Sequence, residues 1–253
     1  MFEIAGELVA VLILAAFAAG FVDAIAGGGG LITVPVLLLC GLSPAQALAT
    51  NKLQGTFGAG TAALAYARAG LVDLRAQGRL AALAALAAGA GALLAQVLPP
   101  DLLRLVMPWL LIGAALYFGL KPGLTDLGRP RRLAPLAFAV LVVPALGFYD
   151  GFFGPGTGSL FMIAFVLLAG QGMLAATAHT KFLNFASNLG GLVVFAAGGQ
   201  VLWTLGLAMA AAQVAGASLG ARVAMRRGAG VIRPLLVLVC LGMAIRLLWQ
   251  AGG

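Results

Sequence analysis

The sequence predicts an all-α, polytopic membrane protein built from two inverted repeats, each containing a broken or re-entrant short helix. Three observations carry this reading: a composition too apolar for water, a segment that occurs twice, and two apolar stretches too short to cross a bilayer. Of 253 residues, 62% are hydrophobic and 9% charged, against about 25% charged in ordinary soluble domains. So few ionisable groups cannot solvate a globule of this size, and a bundle of apolar helices follows. The apolar residues run continuously rather than alternating, which argues against an outer-membrane barrel. The net charge of +8 sits in loops between apolar spans, the marking of cytoplasmic loops, so no nucleic-acid partner is expected. Cys40 and Cys240 lie far apart in apolar surroundings, with no spacing for a disulfide framework or a metal site.

Gly20-Phe21-Val22-Asp23 and the glycines 27–30 return as Gly147-Phe148-Tyr149-Asp150 and the run Gly154-Pro155-Gly156-Thr157-Gly158. Ala49-Thr50-Asn51-Lys52-Leu53 returns as Ala178-His179-Thr180-Lys181-Phe182. The offset is 127 before the glycines and 129 after them, so the second copy carries two extra loop residues. The units are residues 1–125 and 126–253, within one integral membrane domain. The apolar stretch 8–20 imitates a signal peptide, but Glu3 and Glu7 precede it and the same segment recurs mid-chain, so it reads as a retained span.

In order, the first unit reads as a span over 4–25, a short stretch over 31–42, a helix over 44–67, and spans near 80–98 and 102–119. The second reads as 133–152, a short 159–170, then 172–197, 204–224 and 234–250. The two short stretches would rise about 18 Å as helix against a hydrocarbon core of about 30 Å. Each follows a glycine run that disfavours helix, so each unit contains a discontinuous helix. Arg68, Arg75 and Arg79, then Lys121, Arg129, Arg131 and Arg132, then Arg222, Arg226, Arg227 and Arg233 mark three loops as cytoplasmic. Both termini are then periplasmic, each unit crosses an odd number of times, and the units are inverted. Inverted repeats with discontinuous helices build midplane sites in secondary transporters.

Few ionisable residues lie outside the loops. Lys52 and Lys181 are counterparts in the repeat, as are Asp23 and Asp150, and His179 is the only histidine. Two unpaired lysines at the bilayer centre would cost roughly 5 to 7 kcal/mol, so something compensates them. One reading has them snorkelling from helix ends; the other makes them anchors for a small anion. Thr177, Lys181, Asn184 and Asn188 share one helical face, and Asn51 and Thr180 adjoin the lysines. The backbone at Gly28, Gly29 and Gly30, and at Gly156, Gly158 and Ser159, precedes or opens a half-helix whose N-terminal NH groups attract anions. Close helix packing is the structural alternative for these glycines. Neither run is a phosphate loop, since the GK[ST] ending is absent.

Asp23 and Asp150 either cap the broken helices, pair with the lysines, or carry protons; His179 is a further proton-relay candidate. With both carboxylates ionised, the four charges sum to zero, so the pocket can take an anion together with a proton. Gly216 and Gly220, with Ala87 and Gly91 as counterparts, suit close helix contact, within the chain or in a homodimer.

Taken together, the segment from Gly20 to Pro35, Ala49-Thr50-Asn51-Lys52 and Thr180-Lys181-Phe182-Leu183-Asn184 resemble the sulfite exporter TauE/SafE family, also called the 4-toluene sulfonate uptake permease family, over nearly the whole chain. The resemblance implies a bacterial inner-membrane transporter for small anions such as sulfite, sulfonates, other sulfur oxyanions or small organic acids, with no cofactor and no enzymatic activity. The second copy departs from the first at Pro155 and Thr157, and by Ala164 in place of Pro35, so the half-sites are expected to contribute unequally. Rival readings are a cation carrier using Asp23 and Asp150, an intramembrane hydrolase using Ser159 and His179 as a dyad, and a non-transporting scaffold. Leu160 follows Ser159, and the repeat counterpart of Ser159 is Gly30, both against the hydrolase.

Overall fold

The computed structural model describes residues 6–99, 109 and 130–228. The expected spans over 102–119 and 234–250, together with Lys121, Arg129, Arg233 and Cys240, lie outside the described residues. Within them the chain forms helices and no strand: α1 (Gly6–Ala26), α2 (Gly29–Leu39), α3 (Pro44–Arg68), α4 (Gly78–Val97), α5 (Pro135–Phe152), α6 (Thr157–Leu167), α7 (Met173–Ala197) and α8 (Trp203–Arg227). Four of them, α1, α4, α5 and α8, are long and apolar enough to cross a membrane.

Local chemistry sets most boundaries. Ser43 and Gln46 form a reciprocal capping box, with Pro44 at the first helical position, and so start α3. In α5 the turn Phe138–Val142 widens to π geometry just before Pro144, which has no N–H to return to the preceding turn. The short helices begin earlier than the sequence suggests. Gly29 and Gly30 are the first residues of α2, and Thr157 and Gly158 those of α6. The break itself is at Gly27 and Gly28, with φ of 80° and 88°, and at Gly154 and Gly156, with φ of 89° and 87°; this left-handed backbone favours glycine. At 11 residues each, α2 and α6 rise about 16 Å.

Packing partners exchange between the units. α1 packs along α8, and α5 along α4; α3 meets α8, and α7 meets α4; α3 and α7 meet each other. Small residues permit the close approaches. A Cβ on Gly216 would lie 2.9 Å from the Phe21 nitrogen, and one on Gly91 2.7 Å from the Phe152 nitrogen, so the glycine pair of α8 is engaged within the chain, against α1. Asp73 and Gln77 before α4 line one cavity with Arg131 and Leu133 before α5, so the first two basic loops share an end of the molecule. At the far ends of α4 and α7, Gln96 Nε2 donates to the Val194 carbonyl at 3.2 Å. Leu14, Leu86 and Val193 are well exposed, as suits side chains that face lipid.

Candidate functional site

The two helix breaks meet at the centre of the bundle. Ser159 Oγ donates to the Ala26 carbonyl at 2.8 Å, and a Cβ on Gly158 would come within 3.1 Å of the Gly27 Cα. Around this junction the charged side chains pair crosswise between the units. Lys52 Nζ, from α3, reaches Asp150 Oδ1, from α5, at 2.7 Å. Lys181 Nζ, from α7, reaches Asp23 Oδ2, from α1, at 3.1 Å. The ammonium groups do not snorkel: Lys52 is 1% exposed and Lys181 0%. Each cation thus has a counter-ion in a setting where an isolated charge costs about 2.5 to 3.5 kcal/mol.

The carboxylates are held unequally. Asp150, 1% exposed, also accepts from the Ser187 hydroxyl. Asp23, 7% exposed, accepts at 3.2 Å from the Gly29 N–H, the first N–H of α2, so it caps that helix as well as pairing. The counterpart of Ser187 in the repeat is Gly58, which carries no hydroxyl; a Cβ there would meet Gln213 Nε2 at 2.8 Å.

Between the pairs lies a cavity of about 20 Å³, lined by Asp23, Asp150, Asn51, Asn184, Asn188, Gln213 and the backbone of Gly28, Gly29, Gly30, Gly156, Thr157 and Gly158, with Gly55 and Gly154 completing it. That is room for about one water. Thr33 Oγ1 donates to Asn51 Oδ1 at 2.7 Å, and Asn188 Nδ2 donates to Asn184 Oδ1 at 3.0 Å, fixing two of the amides. The lysines stand behind the wall. A Cβ on Gly154 would fall 2.8 Å from Lys52 Nζ, and one on Gly158 3.3 Å from Lys181 Nζ. A side chain at either glycine would therefore crowd the ammonium group behind it.

The structure therefore brings Asn51, Asn184, Gly28, Gly29, Gly30, Gly156, Gly158, Asp23 and Asp150 to one cavity, with Lys52 and Lys181 directly behind it. Ser159 is buried against Ala26 beside the cavity and not in its lining. Thr180 is buried with its hydroxyl lacking a protein partner, and it too is outside the lining. His179 lies elsewhere, against Phe165 with ring centroids 5.5 Å apart, and lines a separate cavity; Ser159 and His179 do not share a site. Thr177, from the expected stripe, donates to the Met173 carbonyl at 2.9 Å. Sequence reasoning left Gln213, Ser187, Gly55, Gly154 and Thr33 out of the site, and read Asn188 as stripe only. Gln213 had a signal: it is an amide in the otherwise apolar run of residues 205–217. Among the described residues, no group of three or more His, Cys, Asp or Glu side chains is placed to hold a metal ion.

A family model described as Sulfite exporter TauE/SafE matches residues 12–247. The chain is 55% identical over 248 residues to a Sinorhizobium protein named Probable membrane transporter protein ORF9, covering 98% of this chain and 95% of that one. It is 44% identical over 253 residues to Probable membrane transporter protein YfcA of Escherichia coli K12, covering 100% and 94%. A Haemophilus influenzae protein named Probable membrane transporter protein is 44% identical over 250 residues, covering 99% and 98%. No solved structure is significantly similar.

Proposed function

From the premise that this chain belongs to the sulfite exporter TauE/SafE family and is a multi-pass membrane transporter, we propose that it carries a small oxyanion, such as sulfite, a sulfonate or a small organic acid, together with a proton. The observation that carries the reading is the crossed pairing of Lys52 with Asp150 and Lys181 with Asp23. An entering anion competes with a carboxylate for its ammonium group. A proton carried in with the anion neutralises the released carboxylate, which would otherwise stand buried as an uncompensated charge. A monoanion, hydrogensulfite in the case of sulfite, and one proton together leave the site neutral, so the loaded site adds no charge to the barrier. The amides of Asn51, Asn184, Asn188 and Gln213, with the N-terminal NH groups of α2 and α6, supply hydrogen bonds.

Asp23 is the carboxylate that takes the proton. Its hold is looser than that of Asp150, which keeps the shorter ion pair and the Ser187 hydroxyl. The groups around Asp23 are Lys181 from α7 and the Gly29 N–H from α2; Tyr66 from α3 is occupied in donating to the Ala24 carbonyl at 2.8 Å. Because the cavity admits about one water, loading requires the pairs to separate, and separating them moves one unit against the other. The exchange of packing partners supports alternating access between inverted units of residues 1–125 and 126–253, in a bacterial inner membrane with the basic loops cytoplasmic.

In proteoliposomes, wild-type sulfite flux should follow an imposed pH gradient. Asp23→Asn should retain sulfite exchange while losing the response to the gradient. Wild-type flux indifferent to the gradient, or Asp23→Asn flux that still responds, sinks the proton assignment. One observation favours a second reading: the carboxylates, and not the ammonium groups, line the cavity. A cation carrier predicts cation flux without anion, lost in Asp23→Asn and independent of the lysines.

A further inference from the structure

Apart from the central site, a cavity of about 250 Å³ opens between the N-terminal ends of α4 and α5, the C-terminal end of α6 and the start of α7. We propose that it is a binding site for a planar aromatic monoanion, such as an aromatic carboxylate, distinct from the central oxyanion site.

The polar evidence is Gln77. It lines this cavity, is only 4% exposed, and both its amide oxygen and its amide nitrogen lack a protein partner. Gln171, also in the lining, has a buried carbonyl oxygen in the same condition. Buried amides are almost always partnered, so two unsatisfied ones converging on one cavity point to a ligand with polar atoms there. Arg131 at the rim supplies the cation, and the N-termini of α4 and α5 add positive potential. Asp73 also stands at the rim, but its carboxylate is turned to the backbone, accepting from the N–H of Arg75 at 2.8 Å and of Ala76 at 3.2 Å.

The apolar evidence is a row of three aromatic rings in the lining, Phe138 and Phe165 buried and His179 half-buried. Phe138 and Phe165 lie tilted with centroids 4.9 Å apart, and Phe165 and His179 5.5 Å apart. An aromatic lining of this kind favours an aromatic partner through offset or tilted contacts. The volume suffices, since an apolar cavity of about 150 Å³ admits benzene. The walls are tied together: the backbone N–H groups of Arg132 and Leu133 both donate to the Leu168 carbonyl, at 3.0 and 3.1 Å, and Gln171 N–H donates to the Phe165 carbonyl at 3.1 Å. The site is therefore preorganised.

Isothermal titration calorimetry on the purified full chain in detergent, with benzoate as probe, tests the proposal. Saturable one-site binding is expected, at least tenfold tighter than acetate, with affinity unchanged by saturating sulfite. Gln77→Leu and, separately, Arg131→Gln should each weaken benzoate at least tenfold; Arg131 is exposed, so its variant keeps the fold even if Gln77→Leu does not. Absence of saturable binding, acetate binding as tight as benzoate, competitive displacement by sulfite, or full affinity in Arg131→Gln each overturns it.

Discussion

At the level of single residues, the ion pairs give the lysines a structural role beside the anchoring role proposed for them. Removing one partner of a buried pair leaves the other charge uncompensated, a loss of about 3 to 5 kcal/mol. Lys52→Met should therefore lower the thermal unfolding midpoint and abolish sulfite binding together. Adding Asp150→Asn should recover most of the midpoint without restoring binding, because the orphan charge is gone while the anchor is still missing. Unfolding followed by tryptophan fluorescence, alongside a binding titration, separates the two effects; a double variant that binds sulfite normally defeats the anchoring role. The repeat made these four residues legible, since a lysine and an aspartate recurring inside apolar segments demand compensation. Which lysine meets which aspartate was not legible, because partner choice follows from how helices far apart in sequence cross. Gly154 and Ser187 were missed for the same reason: their importance lies in what sits behind or beside them in space.

Among the helices, continuous apolar runs located every described span to within a few residues, and the two short helices were recognisable from their length alone. Their starting points were not, because a glycine run looks uniform in sequence. Only backbone geometry distinguishes Gly28, with positive φ, from Gly29, already helical and hydrogen-bonded to Asp23. The small residues of α8 illustrate a second ambiguity. A GxxxG pair serves equally within a chain or between chains, and here the α1 backbone occupies it. Gly216→Leu should push α1 from α8, displace Asp23 from Lys181, and lower the thermal unfolding midpoint. A variant that keeps the wild-type unfolding midpoint contradicts this packing.

For the molecule as a whole, the proposed sidedness rests on where the arginines cluster, and the first two basic loops share an end of the molecule. Single cysteines introduced at Arg75 and at Gln200, in a background lacking native cysteines, should label differently with an impermeant maleimide in intact cells: Gln200 accessible, Arg75 protected until the cells are opened. The reverse pattern would invert the topology proposed above.

The crossed pairing also bears on biogenesis. When synthesis has produced only the first half, Lys52 and Asp23 are already in the bilayer while both their counter-ions are still unmade. An unfinished or truncated chain thus displays two orphan charges to the lipid, each opposed by about 2.5 to 3.5 kcal/mol. Docking of the second half, which brings Asp150 to Lys52 and Lys181 to Asp23, removes both penalties at once.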